Sequence, residues 1–298
     1  MTTRIIRVFP SRTPLTPRDR AAYIGHPYDP PLFAEADEVH VSATFKWDLP
    51  FAEKLARLWK SVAPVKIGGP ATGEAGGDFV PGLYLAEGAV ITSRGCPNRC
   101  LNCSVWKREG LSVRPLRIHD GWNVLDDNLL ACPDAHVRAV FEMLNRQVGH
   151  RVMFSGGLEA ARLKDWHVCE LSALAPESMF FAYDRPQELE PLRRAGGLLR
   201  LPGLGLTMDG KRMSNRVRCY VLVGHDDDTP EKAQDRCVQA VEAGFWPMAM
   251  YFIPEEGYEG RPPSRRDAPA EWRKFLAQWV RIARVKRAYT AATGKPHP

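Results

Sequence analysis

The chain contains no run of about 18 apolar residues, so nothing in it reads as a membrane span. Its first ten residues, Met1 to Pro10, lack the apolar core of a secretory signal. Internal repeats and low-complexity stretches are absent too, which excludes solenoids and disordered tails. Cysteine is scarce: seven residues, an odd number, with a single Cys-x2-Cys pair. That excludes a secreted disulfide framework and implies a reducing, cytoplasmic setting. Acidic residues are scarce near the end. Residues 261–298 hold ten Lys or Arg and only two acids, a net of +8, against +6 for the whole chain. The remainder is therefore close to neutral. Such a segment is either a footprint for a polyanion or the solvated face of a helix, and charge runs are usually the latter.

What is present begins with three cysteines in eight residues, Cys96-Pro-Asn-Arg-Cys100-Leu-Asn-Cys103. They follow the apolar run Ala89-Val-Ile-Thr-Ser-Arg-Gly95, which reads as a strand. Thiolates are soft ligands and select iron–sulfur clusters or zinc. A structural zinc site needs a fourth ligand. Cys132 is the nearest later cysteine, and it has no paired neighbour. Three thiolates on one loop can hold three irons of a cubane cluster and leave the fourth iron open, the arrangement of a reactive centre. Cys169, Cys219 and Cys237 are scattered, without the spacing of an auxiliary cluster.

The 298 residues have room for one large α/β domain, or a domain plus an appendage. Beyond Gly88 the chain alternates short apolar runs with helical patterns. Strands are predicted at 89–94, 122–127, 151–155, 179–183, 217–223 and 247–253. Helices are predicted at 134–148, stopped by Gly149, and at 230–243, with Thr229 as N-cap, Pro230 at the first turn and Gly244 at the end. Six strands alternating with helices predict a parallel sheet with crossover connections. In such folds polar residues that close a strand at its C-terminal end line the site. Asp126, Asp127 and Asn128 close the second strand. Gly156, Gly157 and Glu159 close the third, Asp184 and Arg185 the fourth, and Gly224 the fifth. Tyr251 lies on the last. The segment after Asp267 reads as one long helix whose Trp272, Phe275, Leu276 and Trp279 form a core stripe.

Residues 1–75 carry a different pattern. Ile5 to Phe9 and Glu38 to Ser42 read as strands, Val65 to Ala71 as a strand and turn, and Phe51, Leu55, Leu58, Trp59 and Val62 mark an amphipathic helix. A Gly-rich linker at 67–88 follows, which predicts a small α/β extension over 1–80 and the main domain over 81–298.

The Cys-x3-Cys-x2-Cys loop, with Gly95 before it and Pro97 within it, resembles the signature of the radical S-adenosylmethionine (SAM) superfamily. The resemblance covers residues 85–254 and implies a partial (β/α)6 barrel. It implies a [4Fe–4S] cluster on Cys96, Cys100 and Cys103, with SAM on the open iron and a reductant such as flavodoxin or ferredoxin as partner. The Gly-Gly-Leu-Glu run at 156–159, with Asp127-Asn128 and Ala182-Tyr183-Asp184, is similar to a group of short radical SAM proteins, some of them phage-borne. From their rim positions and that resemblance together, Asp126, Asp127, Asn128, Gly156, Gly157, Glu159, Asp184, Gly224 and Tyr251 are the residues expected to bind SAM. The family commonly has an aromatic residue before the last cysteine; here it is Asn102, and Trp106 is a nearby ring. The relatives often place an Arg where this chain has Ala161, one residue before Arg162. Residues 1–75 resemble the end of a cobalamin-binding domain. They lack an Asp-x-His-x2-Gly motif, and His40 reads as structural, so an extension without cobalamin is expected. For substrate, the composition leaves a nucleotide or nucleic acid, with a small metabolite or peptide as the alternative. A nucleic-acid-binding protein with a structural metal is the competing class.

Overall fold

The computed structural model describes residues 3–25, 36–100, 102–205, 216–225, 227–254 and 267–296. Leu101 of the cysteine run and residues 261–266 and 297–298 of the basic segment lie outside the described residues. Two compact units emerge, Met1–Gly121 with Pro254–Pro263, and Trp122–Ile253 with Ser264–Pro298. The division falls after Gly121, where the sequence reading places it after residue 80. The three cysteines therefore belong to the same unit as the N-terminal strands.

The first unit is built on β1 (Ile5–Phe9), β2 (Ala22–Ile24), β3 (Glu38–Ser42), α1 (Leu49–Trp59) and β4 (Val65–Gly68). The strands form a parallel sheet in the order β2-β1-β3-β4. Val8, Val39 and Val41 alternate onto the face covered by α1, which buries Ala52, Leu55, Ala56 and Trp59 against them. Tyr23 of β2 meets the Trp59 ring edge-on at 5.0 Å, although its strand is too short to show a period in the sequence. Short elements follow: β5 (Ala89–Val90), β6 (Ser93–Arg94), α2 (Val105–Arg108) and β7 (Arg114–Pro115). The strand expected over 89–94 is thus two pieces. The second pairs antiparallel with β7, Arg94 opposite Arg114.

The second unit runs β8 (Asn123–Val124), α3 (Asp134–Asn145), β9 (Met153–Phe154), α4 (Asp165–Leu174), β10 (Ser178–Ala182), α5 (Leu189–Arg200), β11 (Val217–Val223), α6 (Pro230–Ala243) and β12 (Trp246–Tyr251). Each strand pairs with the next, and every pair is parallel. Strand order in space therefore equals order in sequence. Neighbouring helices pack on one another in the same succession, α3 on α4, α4 on α5 and α5 on α6. The α5–α6 approach depends on Gly196: a Cβ there would lie 1.7 Å from the Ala243 carbonyl oxygen.

Helix α6 is capped as its sequence predicts. Thr229 accepts a hydrogen bond from the Lys232 N–H at 3.4 Å, and Gly244 closes the end at φ +100°. The single C-terminal helix expected after Asp267 is instead two, α7 (Ala270–Trp279) and α8 (Ile282–Thr293), with Arg281 extended between them. Arg284 donates to the Ala277 carbonyl at 3.1 Å, satisfying an acceptor that the broken helix leaves open. Trp272, Phe275, Leu276 and Trp279 do form core, packed with Val221, Val223 and Trp246. Arg281, Arg284, Lys286 and Arg287 are exposed on the other side.

Candidate functional site

The cysteine loop sits between β6 and α2, in the first unit. Gly95 enters it at φ +90°, and a Cβ there would lie 2.4 Å from the Ser112 carbonyl oxygen, so only glycine fits. The Cys96 N–H donates to the Gly110 carbonyl at 3.4 Å, and the Cys103 N–H to the Cys100 carbonyl at 3.2 Å. Trp106 Nε1 donates to that same Cys100 carbonyl at 3.0 Å, so this indole braces the loop. All three cysteines are half-buried. Among the described residues no three His, Cys, Asp or Glu side chains are gathered closely enough to hold a metal ion. By donor chemistry the set fits an iron–sulfur cluster, three soft ligands on one braced loop.

In the second unit the other expected residues share one edge. Asp126 to Asn128 follow β8, Gly156 to Glu159 follow β9, Asp184 follows β10, Gly224 follows β11 and Tyr251 ends β12. All five strands are parallel, so these positions line the C-terminal rim, where sites of α/β folds lie. Asp126 and Asn128 are buried. Asn128 Nδ2 donates to Glu159 Oε2 at 2.7 Å, and Arg162 Nε reaches the same oxygen at 2.7 Å. Arg162 therefore aligns Glu159. The Gly156 backbone presses on the end of β8, and a Cβ would lie 2.4 Å from the Asp126 carbonyl oxygen. Gly157, at φ +97°, turns the chain, and the Leu158 N–H then bonds the Phe180 carbonyl at 2.7 Å. Gly156→Ala should push these strand ends apart and cost about 1–3 kcal/mol, as overpacking does. A thermal midpoint equal to that of the parent would contradict this.

Further along the rim, Asp184 Oδ1 accepts the Leu222 N–H at 2.7 Å, which ties β10 to β11. Burial raises the Asp184 carboxyl above its ordinary range, partly offset by that bond. Glu188 caps the turn by accepting the Asp184 N–H at 2.8 Å and the Arg185 N–H at 3.1 Å. Gly224, at φ +78°, lies against the Tyr251 ring, 2.4 Å from where a Cβ would stand. Its N–H donates to Asp228 Oδ2 at 2.9 Å. Asp228 is in turn held by Arg236 through two bonds, at 3.0 and 2.8 Å. Glu188, Asp228 and Arg236 were not singled out in the sequence. Aspartate four residues after a strand-ending glycine is the one local signal they offer.

The remaining cysteines fall elsewhere. Cys219 and Cys237 are wholly buried, and burial holds both thiols protonated well above the ordinary thiol range. Cys132 is buried and Cys169 exposed. In the first unit, His40 Nε2 bonds Glu38 Oε2 at 2.7 Å and Nδ1 meets the Tyr84 hydroxyl. Both ring nitrogens are engaged in a surface network that also includes Lys66. No known family model matches the chain, and a search among curated proteins finds no significant match.

Proposed function

We propose that this chain is a radical SAM enzyme of partial-barrel type. The observation that carries the reading is the Cys96, Cys100, Cys103 loop, short, braced and half-buried. Support comes from the parallel strands β8 to β12 in sequential order. With right-handed crossovers, strands added always in one direction place their helices on one face, as in a barrel. A [4Fe–4S] cluster held there, once reduced by an external one-electron donor such as flavodoxin or ferredoxin, would supply reductive cleavage of bound SAM and hydrogen-atom abstraction from a substrate.

The residues of the chain bind and orient. Cys96, Cys100 and Cys103 would hold the cluster through their sulfurs. Glu159, aligned by Asn128 and Arg162, and Asp127, the residue before Asn128, offer carboxylate oxygens to the methionyl ammonium. Gly157 admits a ligand close to the backbone, whereas Gly156 is taken up by packing against Asp126. Asp184, which keeps Oδ1 on Leu222, accepts from ribose hydroxyls through its other oxygen. Tyr251, propped by Gly224, offers a ring face to adenine. The exposed basic residues on α8 suit a nucleotide or nucleic-acid substrate, and equally the other class, a nucleic-acid-binding protein with a structural metal, although such a run is more often a solvated helix face.

Anaerobic, reconstituted protein reduced with dithionite should release methionine and 5′-deoxyadenosine in equal amounts, slowly, even without substrate. Chromatography reads both products. No deoxyadenosine from protein whose cluster is intact and reducible would overturn the reading.

A further inference from the structure

A buried acid closes the cysteine loop at its base, and the chemistry above does not use it. Glu109 directly follows α2, and its side chain is 1 % exposed. Its two carboxylate oxygens accept the Gly76 N–H at 3.0 and 3.1 Å. Arg108 Nε donates to Oε1 at 3.0 Å. Arg94 Nη1 stands 3.7 Å from Oε1 and Arg114 Nη2 3.8 Å from Oε2. The last two arginines also grip the glycine-rich segment. Arg94 Nε donates to the Gly77 carbonyl at 3.0 Å, and Arg114 Nη2 to the Gly76 carbonyl at 2.7 Å. A Cβ on Gly76 would lie 2.3 Å from Arg94 Cζ, so the guanidinium can cover the backbone only at glycine.

The connectivity gives these contacts their meaning. Arg94 is two residues before Cys96, and Arg108 is five past Cys103. The cysteine loop thus leaves from and returns to one carboxylate. Gly110, the next residue, accepts the Cys96 N–H. Hydrogen bonds between ionised partners are shorter and stronger than neutral ones, and more so away from water. Three guanidinium groups around one carboxylate also leave a local excess of positive charge beside the loop.

We propose that Glu109 is a positioning residue for the cysteine loop: its carboxylate fixes the separation of the two loop ends, and so how closely the three thiols can converge on a bound metal group. The identity of that group rests on the radical SAM reading; the clamp itself does not.

The test uses the full chain without metal. Iodoacetamide is applied under native conditions, and each cysteine is followed by peptide mass spectrometry. In Glu109→Gln, Cys96, Cys100 and Cys103 should react about tenfold faster than in the parent, since charge-assisted bonds at the loop base are lost. Cys169, exposed and remote in sequence, should react at the parent rate. Arg114→Gln, at a half-exposed position, should give a smaller acceleration of the same three and serves if Glu109→Gln does not fold. In reconstituted protein, Glu109→Gln should lose iron faster to a chelator. It should also shift the reduction potential upward, because removing a negative charge favours the reduced state. Unchanged labelling of the three cysteines in both variants overturns the clamp. Faster labelling in a chain that never binds iron supports the clamp and overturns the cluster instead.

Discussion

Arg236→Met should destabilise the protein by about 3–5 kcal/mol, the cost of leaving a buried charge without its partner. Asp228 is only 2 % exposed, and Arg236 12 %. The guanidinium meets both carboxylate oxygens and also donates to the Leu222 carbonyl at 3.0 Å. Once it is removed, the carboxylate keeps the Gly224 N–H and little else to replace water. The thermal midpoint should fall by roughly 6–20 °C, at about 2–4 °C per kcal/mol for a chain of this size. Combining Arg236→Met with Asp228→Asn should restore part of the loss, because no unpaired charge is then buried. A loss under about 1 kcal/mol in the single variant would show the pair to be solvated. The effect also reaches the rim, since Asp228 holds the Gly224 turn on which Tyr251 rests.

The second large effect is on metal content and leaves the fold almost untouched. Cys96→Ala should reduce bound iron from about four per chain to essentially none. Two thiolates cannot retain a cubane cluster on a loop whose third ligand is gone. The Cys96 backbone N–H still reaches Gly110 in the variant, and the side chain is half-buried, so the thermal midpoint of metal-free protein should barely move. Cys169→Ala should retain parental iron. Equal iron in Cys96→Ala and in the parent would remove this cysteine from the site.

Much of this architecture is legible in the sequence where one local force dominates. Ile5–Phe9, Glu38–Ser42 and Val217–Val223 form strands to the residue, because each alternates or concentrates β-branched side chains onto one buried face. Helix α6 is likewise read to the residue, since its cap, its first-turn proline and its terminal glycine all agree. Reading weakens where polar residues enter the runs. The strands expected over 122–127 and 151–155 shrink to Asn123–Val124 and Met153–Phe154, because Asp126, Asn128 and Gly156 turn the chain into the rim. The break between α7 and α8 carries no glycine or proline and is set by packing. Tertiary partners are least legible. Nothing near Glu109 in sequence announces Gly76, and nothing near Asp184 announces Leu222. The rim glycines and carboxylates stand out because they end apolar runs; their bonds to each other come only with the fold.

Iron and acid-labile sulfide per chain after anaerobic reconstitution test most directly whether Cys96, Cys100 and Cys103 hold a four-iron cluster. Each should come to about four, with a brown colour and a paramagnetic signal on reduction with dithionite. One tightly held zinc per chain with no labile sulfide would contradict it.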